Sequence, residues 1–367
     1  MLPMSRDLDK LAASVVMFGF DGLRPTAEAE ALCRRGAAGA ILFKRNVGKP
    51  QETFELTESL RALAADRRFL LAVDQEGGRV ARLREGFTAL PALRRIGDLG
   101  DPLLAEKAGR ILGRECRAAG FDIDFAPVLD VDSNPHNPVI GDRSFSRDPQ
   151  SCAVFGIEMI AGLQAEGVAA CGKHFPGHGD THQDSHRALP RLSHDLARLD
   201  AIELPPFRAA VTAGVASLMT AHVVFEALDA ELPATLSPQT LGPLRQRIGF
   251  DGVLVSDDLE MAAVADLMPV GDAAPLAIAA GCDLLLVCHS AERQAAAIDA
   301  IRRYAEEDSG QRARLEQASA RVAKLATQFG RAGGGSFDAS ALRRPEALAF
   351  AAAFEQTRAH DPTERTS

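Results

Sequence analysis

The sequence predicts an α/β protein built as a single (β/α)8 barrel of the TIM type, with a short helical extension at its C-terminus. Eight short apolar runs alternate with longer amphipathic segments from residue 14 onward, as expected for strands and helices around a parallel sheet. The 367 residues fit one barrel of about 250 residues with insertions and a tail. Polar side chains also follow the predicted strands directly, at the face where the strands of a barrel end together.

The predicted strands cover residues 14–20, 39–43, 69–74, 123–129, 168–174, 217–222, 252–257 and 282–287. Helical patterns separate most of them, for example at 51–65, 103–119, 196–213 and 291–305. Periodicity gives the number of strands but not their closure, so a doubly wound open sheet is the alternative. We assign residues 1–330 to the barrel and 331–367 to an extension, with a helix over 345–354 and a disordered final dozen.

Composition and charge restrict the class of partner. The 41 Lys+Arg and 50 Asp+Glu give a net charge of −9, which argues against nucleic acid or an anionic membrane as a partner. No apolar run approaches the ~20 residues of a membrane span, and no secretory signal pattern is visible at the start. Six cysteines without a CxxC pair indicate reduced thiols. We therefore expect a cytoplasmic monomer that binds a small molecule.

The densest chemistry lies in segment 173–186. Four of the nine histidines stand there at a spacing of four residues, namely His174, His178, His182 and His186. On a helix they would form a metal-binding face, which is the basis for an alternative, a metal-dependent hydrolase. Pro176 and two glycines instead predict a strand end that runs into a pliable loop.

An acid/base dyad is possible within this loop, because Asp184 stands two residues before His186. The carboxylate can accept a hydrogen bond from one ring nitrogen and leave the other nitrogen for a substrate. An imidazole titrates near neutral pH, so no buried carboxylic acid is needed. Turn hydrogen bonds within a surface loop are the structural alternative for these residues.

A second candidate is the strand over 252–257, which ends in Asp257 and Asp258. One of these carboxylates could act as a nucleophile at the barrel mouth. Strand alternation directs the two side chains to opposite sides without deciding which one faces the axis. Alternatively, Asp257 caps the next helix with Glu260 as its capping-box partner.

Two further segments offer groups that can hold a ligand. Asp74 ends a predicted strand and can accept from sugar hydroxyls, while Arg79 and Arg82 can donate to oxygen atoms in a planar fork. The GxxxxGK[ST] and GxGxxG spacings of phosphate-binding loops are absent. Arg143, in the Pro/Asn-rich loop after the fourth strand, is another possible donor, with an ordinary surface arginine as the alternative.

Together these segments resemble glycoside hydrolase family 3, and within it the β-N-acetylhexosaminidases that trim N-acetylglucosamine from peptidoglycan fragments. The resemblance extends from about residue 13 to 305. It is carried by Asp74-Gln-Glu-Gly-Gly-Arg79, Ile140-Gly-Asp-Arg143, Lys173-His-Phe-Pro-Gly-His-Gly-Asp180 with Asp184-Ser-His186, and Ser256-Asp-Asp-Leu259.

The resemblance implies a retaining mechanism on a TIM-type barrel, with Asp257 as nucleophile and His186, assisted by Asp184, as acid/base. The residues that it implies for holding the sugar are Asp74, Arg82, Arg143, Lys173 and His174. It implies no metal or organic cofactor, and it points to N-acetylglucosaminyl-anhydromuramyl peptides as substrate. The remaining alternatives are a family 3 β-glucosidase and a non-catalytic sugar-binding barrel. The acid/base carboxylate of such a glucosidase would come from a second domain for which this chain has no room.

Overall fold

The fold is a closed barrel of eight parallel strands, seen in a computed structural model that describes residues 3–64, 67–185 and 187–358. The strands are β1 (Val16–Phe18), β2 (Gly39–Leu42), β3 (Leu70–Val73), β4 (Ile123–Asp124), β5 (Ala169–Phe175), β6 (Ser217–Thr220), β7 (Val253–Asp258) and β8 (Leu284–Val287). Two small ribbons lie outside the barrel. One joins Gln75–Gly77 to Val80–Ala81, and the other joins Arg191–Leu192 to Val224–Phe225.

Pairing between the first and last strands closes the barrel. Val16 of β1 lies opposite Leu285 of β8, and Met17 lies opposite Gly39 of β2. Every other strand pairs with its neighbours in sequence, so the order around the barrel follows the chain. The predicted closed barrel is confirmed, and the open-sheet alternative is wrong.

The strands are buried on both faces, which explains their almost continuous apolar sequences. Side chains directed inward form one core cluster that includes Met17, Ile41 and Phe125, while those directed outward pack beneath the helices. Only glycine fits at position 39 for a steric reason, because a Cβ there would lie 2.1 Å from the carbonyl oxygen of Leu70 on the next strand.

Fourteen α-helical segments surround the barrel within the described residues. They are α1 (Pro3–Ala13), α2 (Ala27–Arg35), α3 (Pro50–Leu63), α4 (Leu93–Gly97), α5 (Leu103–Ala118), α6 (Pro149–Ala165), α7 (Leu196–Arg198), α8 (Leu204–Thr212), α9 (Pro238–Arg247), α10 (Ala262–Ala265), α11 (Val270–Ala280), α12 (Ala291–Glu307), α13 (Ser309–Phe329) and α14 (Pro345–Arg358). Thr26, Asp148 and Ser290 begin α2, α6 and α12, where each side chain accepts a backbone N–H of the first turn.

The end of α13 closes the barrel at the amino-terminal ends of the strands. Leu325 and Phe329 belong to the inner core cluster, and Asp122, just before β4, accepts from the backbone N–H of Arg331 at 3.2 Å. The predicted helical extension is present as α14, where Ala347 and Phe354 are buried. Residues 359–367, which hold most of the tail expected to be disordered, lie outside the described residues. The opposite end of the barrel, at the carboxyl-terminal ends of the strands, is therefore where a binding site can form.

Two predicted elements differ from the structure. The predicted strand 123–129 has only two residues in β4, because Pro127 has no N–H to continue the ladder, and pairing resumes as a single bridge between Val128 and Lys173. The predicted helix 196–213 is divided by a π-helical turn at Leu199–Glu203. In the part of the chain that the structure describes, no helix combines the length and apolar character of a membrane span.

Candidate active site

Two adjoining cavities lie at the carboxyl-terminal ends of the strands. The first, of about 230 Å³, is called here the polar cavity, and its lining includes Glu76, Arg143, Lys173, His174 and Asp184. The second, of about 360 Å³, is called here the mixed cavity, and its lining includes Ile41, Phe43, Phe125, Met261, Leu286 and His289. Asp74, Arg82, Met219 and Asp257 border both cavities. The predicted site residues that the structure describes therefore meet at one end of the barrel.

An ion network around Glu76 forms the floor of the polar cavity. The Glu76 carboxylate accepts from Arg143 Nε at 2.9 Å and Nη2 at 2.8 Å, and it lies 2.7 Å from Lys173 Nζ. Burial alone would raise the pKa of Glu76, but the two cations lower it, so the carboxylate is ionised. Burial alone would lower the pKa of Lys173, and its two carboxylate partners raise it instead. The network is thus fully charged although it is buried.

Asp74 connects this network to the cavity surface. Its Oδ1 accepts from Lys173 Nζ at 3.0 Å, and its Oδ2 accepts from Arg82 Nη2 at 3.3 Å. Each carboxylate oxygen has two lone pairs, so Asp74 can still accept from a sugar hydroxyl. The Lys173 ammonium has three N–H donors, and the two carboxylates use two of them in the described structure. Together the side chains can orient a polyhydroxylated ligand.

Asp130 holds the start of the histidine-rich loop in place. Its Oδ2 accepts from the backbone N–H of His174 at 3.1 Å and lies 2.7 Å from His174 Nδ1. Its Oδ1 accepts from the backbone N–H of His178 at 2.7 Å. Burial would raise the pKa of Asp130, but the His174 ring and these hydrogen bonds lower it. An ionised Asp130 requires a hydrogen on Nδ1 of His174, which leaves Nε2 for contacts in the polar cavity.

Of the two aspartates at the end of β7, Asp257 borders both cavities, whereas Asp258 borders only the mixed cavity. Asp258 has partners for both oxygens: its Oδ1 accepts from the backbone N–H groups of Glu260 at 3.1 Å and Cys288 at 3.2 Å, and its Oδ2 lies 3.2 Å from Nε2 of His289. A register shift in β7 between Val255 and Asp258 interrupts simple alternation, so both aspartates reach the mixed cavity.

The helix-capping interpretation of Asp257 is wrong. The residue that precedes α10 is Met261, and it makes no side-chain cap. Asp257 Oδ1 accepts instead from the backbone N–H of Asp258 at 2.8 Å. Glu260 accepts from the backbone N–H groups of His289 and Ser290 after β8, so it does not form a capping box.

The segment after β5 is a loop rather than a helix, as the prolines and glycines predict. Asn134 donates to the carbonyl oxygens of Asp180 and Thr181, and Asn137 donates to that of His178. Asp184 lines the polar cavity together with Asp257, which brings two predicted catalytic residues to one space. His186, the predicted acid/base, lies outside the described residues.

The metal-dependent alternative gains no support from the described histidines. His178 Nδ1 and Nε2 lie 2.8 Å from Thr181 Oγ1 and 3.1 Å from Ser185 Oγ, and His182 Nδ1 lies 3.1 Å from Asn134 Nδ2. Among residues 3–64, 67–185 and 187–358, no group of three or more His, Cys, Asp or Glu side chains is arranged to hold a metal ion.

Three supporting residues belong to the polar groups at the ends of predicted strands, but the sequence analysis gives them no role. Glu76 stands two residues after Asp74, a spacing that places both on one side of extended backbone. Asp130 directly follows the predicted fourth strand, but its partners are 44 and 48 residues away. His222 is buried beneath the end of β7 with Nε2 3.0 Å from the carbonyl oxygen of Asp258. Burial lowers the pKa of His222, so the neutral ring can donate this hydrogen bond.

Arg79 borders the polar cavity and is bound to the loop after β4. It pairs with Asp142 at 3.0 Å and donates to the carbonyl oxygen of Val139 at 2.5 Å and that of Ile140 at 3.2 Å. These contacts hold the loop that carries Arg143 against the mouth of the barrel.

Comparison with known proteins assigns this site to a family. The glycosyl hydrolase family 3 N-terminal domain matches residues 8–325. A protein named β-hexosaminidase from Methylococcus capsulatus is 43% identical over 293 residues, which cover 78% of this chain and 86% of that protein. Another relative of the same name, from Thioalkalivibrio sulfidiphilus, is 44% identical over 299 residues, covering 78% of this chain and 84% of its own.

Solved structures show the same relationship. A family 3 β-N-acetylglucosaminidase from Paenibacillus sp. superposes with a TM-score of 0.90 at 41% identity, covering 95% of this chain and 68% of that chain. NagZ from Neisseria gonorrhoeae, in complex with N-trifluoroacetyl-D-glucosamine, superposes with a TM-score of 0.77 at 34% identity, covering 93% and 97%. The chain therefore belongs to glycosyl hydrolase family 3, in its β-N-acetylhexosaminidase branch, and it is a glycosidase.

Proposed function

We propose that the chain is a retaining exo-β-N-acetylglucosaminidase that releases N-acetylglucosamine from peptidoglycan fragments. The observation that carries this proposal is the polar cavity, where Asp257 and Asp184 face the buried network of Lys173, Glu76 and Arg143. The named β-hexosaminidase relatives support it. So does the gonococcal structure, because its ligand is a glucosamine with an acylated nitrogen.

In the proposed mechanism, the Asp257 carboxylate attacks the anomeric carbon while the bond to the leaving group breaks. His186, oriented by Asp184, gives its proton to the glycosidic oxygen, and the aglycone departs as an alcohol. The sugar is then attached to Asp257 as a glycosyl ester. The neutral imidazole next takes a proton from water, and that water attacks the anomeric carbon and frees Asp257. Two inversions give net retention.

The ion network supplies position rather than reacting groups. Asp74 would accept from hydroxyls of the non-reducing sugar, and Lys173, Arg143 and His174 would donate to its oxygens. These donors and acceptors are fixed before the ligand arrives, because buried charges hold one another in place. Fixing the anomeric carbon against Asp257 in this way removes much of the entropic barrier of the reaction.

We also propose N-acetylglucosaminyl-anhydromuramyl peptides as substrates and the cytoplasm as the compartment. All six cysteines are buried and unpaired, as expected in a reducing environment. Burial raises the pKa of Cys171 to about 12, which keeps this thiol unreactive. A cytoplasmic protein meets wall fragments that have been taken up by the cell, which fits a recycling substrate.

The test follows the sugar anomer released from N-acetylglucosaminyl-anhydromuramic acid by NMR. We expect the β-anomer first, and complete loss of turnover in Asp257→Asn. Asp251→Asn is the matched control, since this exposed aspartate precedes the same strand at its other end. Initial release of the α-anomer, wild-type turnover in the Asp257 variant, or faster cleavage of an aryl β-glucoside than of its N-acetyl analogue would contradict the proposal.

A further inference from the structure

Ser185 is fixed on two sides although it lies in a loop. It is 2% exposed, and its Oγ lies 3.1 Å from Nε2 of His178. Its carbonyl oxygen accepts from the backbone N–H of Ala263 at 3.2 Å, in the short helix α10 that follows β7. The loop is therefore joined through Ser185 to the element that comes directly after Asp257.

His178 connects Ser185 to the sugar-binding frame. Its backbone N–H donates to Asp130 at 2.7 Å, and its Nδ1 lies 2.8 Å from Thr181 Oγ1. Burial and the neighbouring His174 ring lower the pKa of His178 to about 4, so the ring is neutral near pH 7. A neutral imidazole has one donor and one acceptor, and these two hydroxyls use both. His178 therefore links Thr181 and Ser185 through hydrogen bonds and does not donate a proton to the substrate.

We propose that His178 and Ser185 are positioning residues that hold Asp184 at the polar cavity opposite Asp257. The chain of contacts runs from Asp130 through His178 to Ser185, and from Ser185 to α10. These contacts connect the loop both to the sugar-binding residues and to the segment after the strand that carries the nucleophile. The inference rests on the proposed function, because the role of Asp184 in the acid/base dyad is part of that function.

Positioning and plain structural support predict different kinetics. A variant that only loses stability has fewer active molecules, so its kcat/KM falls by one factor for every substrate. A variant that misplaces the acid/base group loses most where the leaving group needs a proton. The two substrates for this comparison are N-acetylglucosaminyl-anhydromuramic acid, with a poor leaving group, and a dinitrophenyl N-acetyl-β-glucosaminide, with a good one.

The side-chain geometry of His178 offers a matched pair of variants. Asparagine places its polar atom near Nδ1 and glutamine near Nε2, so His178→Asn removes the contact to Ser185 and His178→Gln retains it. Ser185→Ala removes the same contact from the other side. Ser217→Ala is the control, because it deletes another fully buried hydroxyl, which donates to the carbonyl oxygen of Ala170 at 3.1 Å in the barrel wall.

We expect Ser185→Ala and His178→Asn to lower kcat/KM for the disaccharide roughly tenfold, the effect of one lost hydrogen bond, while the dinitrophenyl substrate changes by less than about twofold. The double variant should lose little more than either single variant, because both remove one contact. His178→Gln should recover most of the loss, and Ser217→Ala should leave the ratio between the substrates unchanged.

The positioning role would be overturned if Ser185→Ala left the ratio of kcat/KM between the two substrates unchanged, whether both substrates lost equally or neither lost. If His178→Asn does not fold, Ser185→Ala together with faster hydrogen exchange of the Ala263 amide decides the question. Asp184→Asn separates this inference from the proposed function. A leaving-group-dependent loss in Asp184→Asn without one in Ser185→Ala refutes positioning alone, whereas no such loss in Asp184→Asn refutes the dyad itself.

Discussion

Replacing Glu76 by glutamine tests whether the buried ion network is a structural requirement of the site. The change keeps the shape of the side chain and removes its charge. Glu76 is 2% exposed, and its carboxylate takes three short contacts from Lys173 and Arg143. In the variant, Lys173 would keep only Asp74 as an ion-pair partner, Arg143 would lose the carboxylate that it pairs with, and the amide N–H groups of the glutamine would face N–H donors.

The magnitude follows from the burial of these charges. Removing one partner of a buried ion pair costs about 3–5 kcal/mol, because the opposite charge is left without compensation. The amide oxygen of glutamine can still accept one hydrogen bond, so we expect a loss near the lower end, about 3 kcal/mol. Glu106→Gln is the matched control. Glu106 pairs with Arg110 one helical turn away, both are partly exposed, and such pairs contribute about 0.5 kcal/mol or less.

The assay is urea unfolding at several pH values, with kcat/KM measured on the same samples. The pKa of Glu76 is lowered in the folded state, so its stabilising effect is fully present above the unfolded pKa of about 4.3 and is lost as the pH falls through the folded value. The gap between wild type and Glu76→Gln should thus be constant near neutral pH and narrow below about pH 4. A gap under about 1 kcal/mol at pH 7, or equal effects of Glu76→Gln and Glu106→Gln, would refute the reasoning.

Three further predictions concern the barrel, the loop and metals. Gly39→Ala should prevent folding or cost several kcal/mol in urea unfolding, because its Cβ would lie 2.1 Å from Leu70 O, whereas Gly242→Ala, with no atom closer than 3.9 Å, should be tolerated. Asp130→Asn should lower kcat/KM about tenfold or more by weakening its charge-assisted hold on His174, and wild-type kinetics would contradict this. Treatment with EDTA should leave turnover unchanged, and a loss restored by added metal would revive the metal-dependent alternative.

The barrel could be predicted from the sequence because its strands are buried on both faces and so carry unbroken apolar runs. Closure was predicted from the number of strands alone, since periodicity does not show the pairing of Val16 with Leu285 at opposite ends of the chain. The boundaries of β4 and the π-helical turn that divides the predicted helix 196–213 could not be predicted from the sequence. Both depend on how single residues such as Pro127 meet their neighbours in space.

The residues of the candidate site also fall into those that could be predicted from the sequence and those that could not. Asp74, Lys173 and Asp257 were predictable because each lies at or directly after a predicted strand, where a barrel gathers its functional residues. Glu76 and Asp130 also stand at predicted strand ends, but their roles could not be predicted because they depend on partners far along the chain, Arg143 for Glu76 and His174 for Asp130. A local pattern shows an acidic residue but does not show which cation will be buried against it.

The central claim is that Asp257 becomes covalently bonded to the sugar. A fluorinated N-acetylglucosaminyl fluoride tests it directly, because the fluorine on the ring slows hydrolysis of the intermediate while the fluoride leaves readily. Mass spectrometry of the intact protein, followed by peptide mapping, should find one sugar attached to Asp257. A label on another residue, or turnover of the reagent with no covalent adduct at any time, would contradict the account.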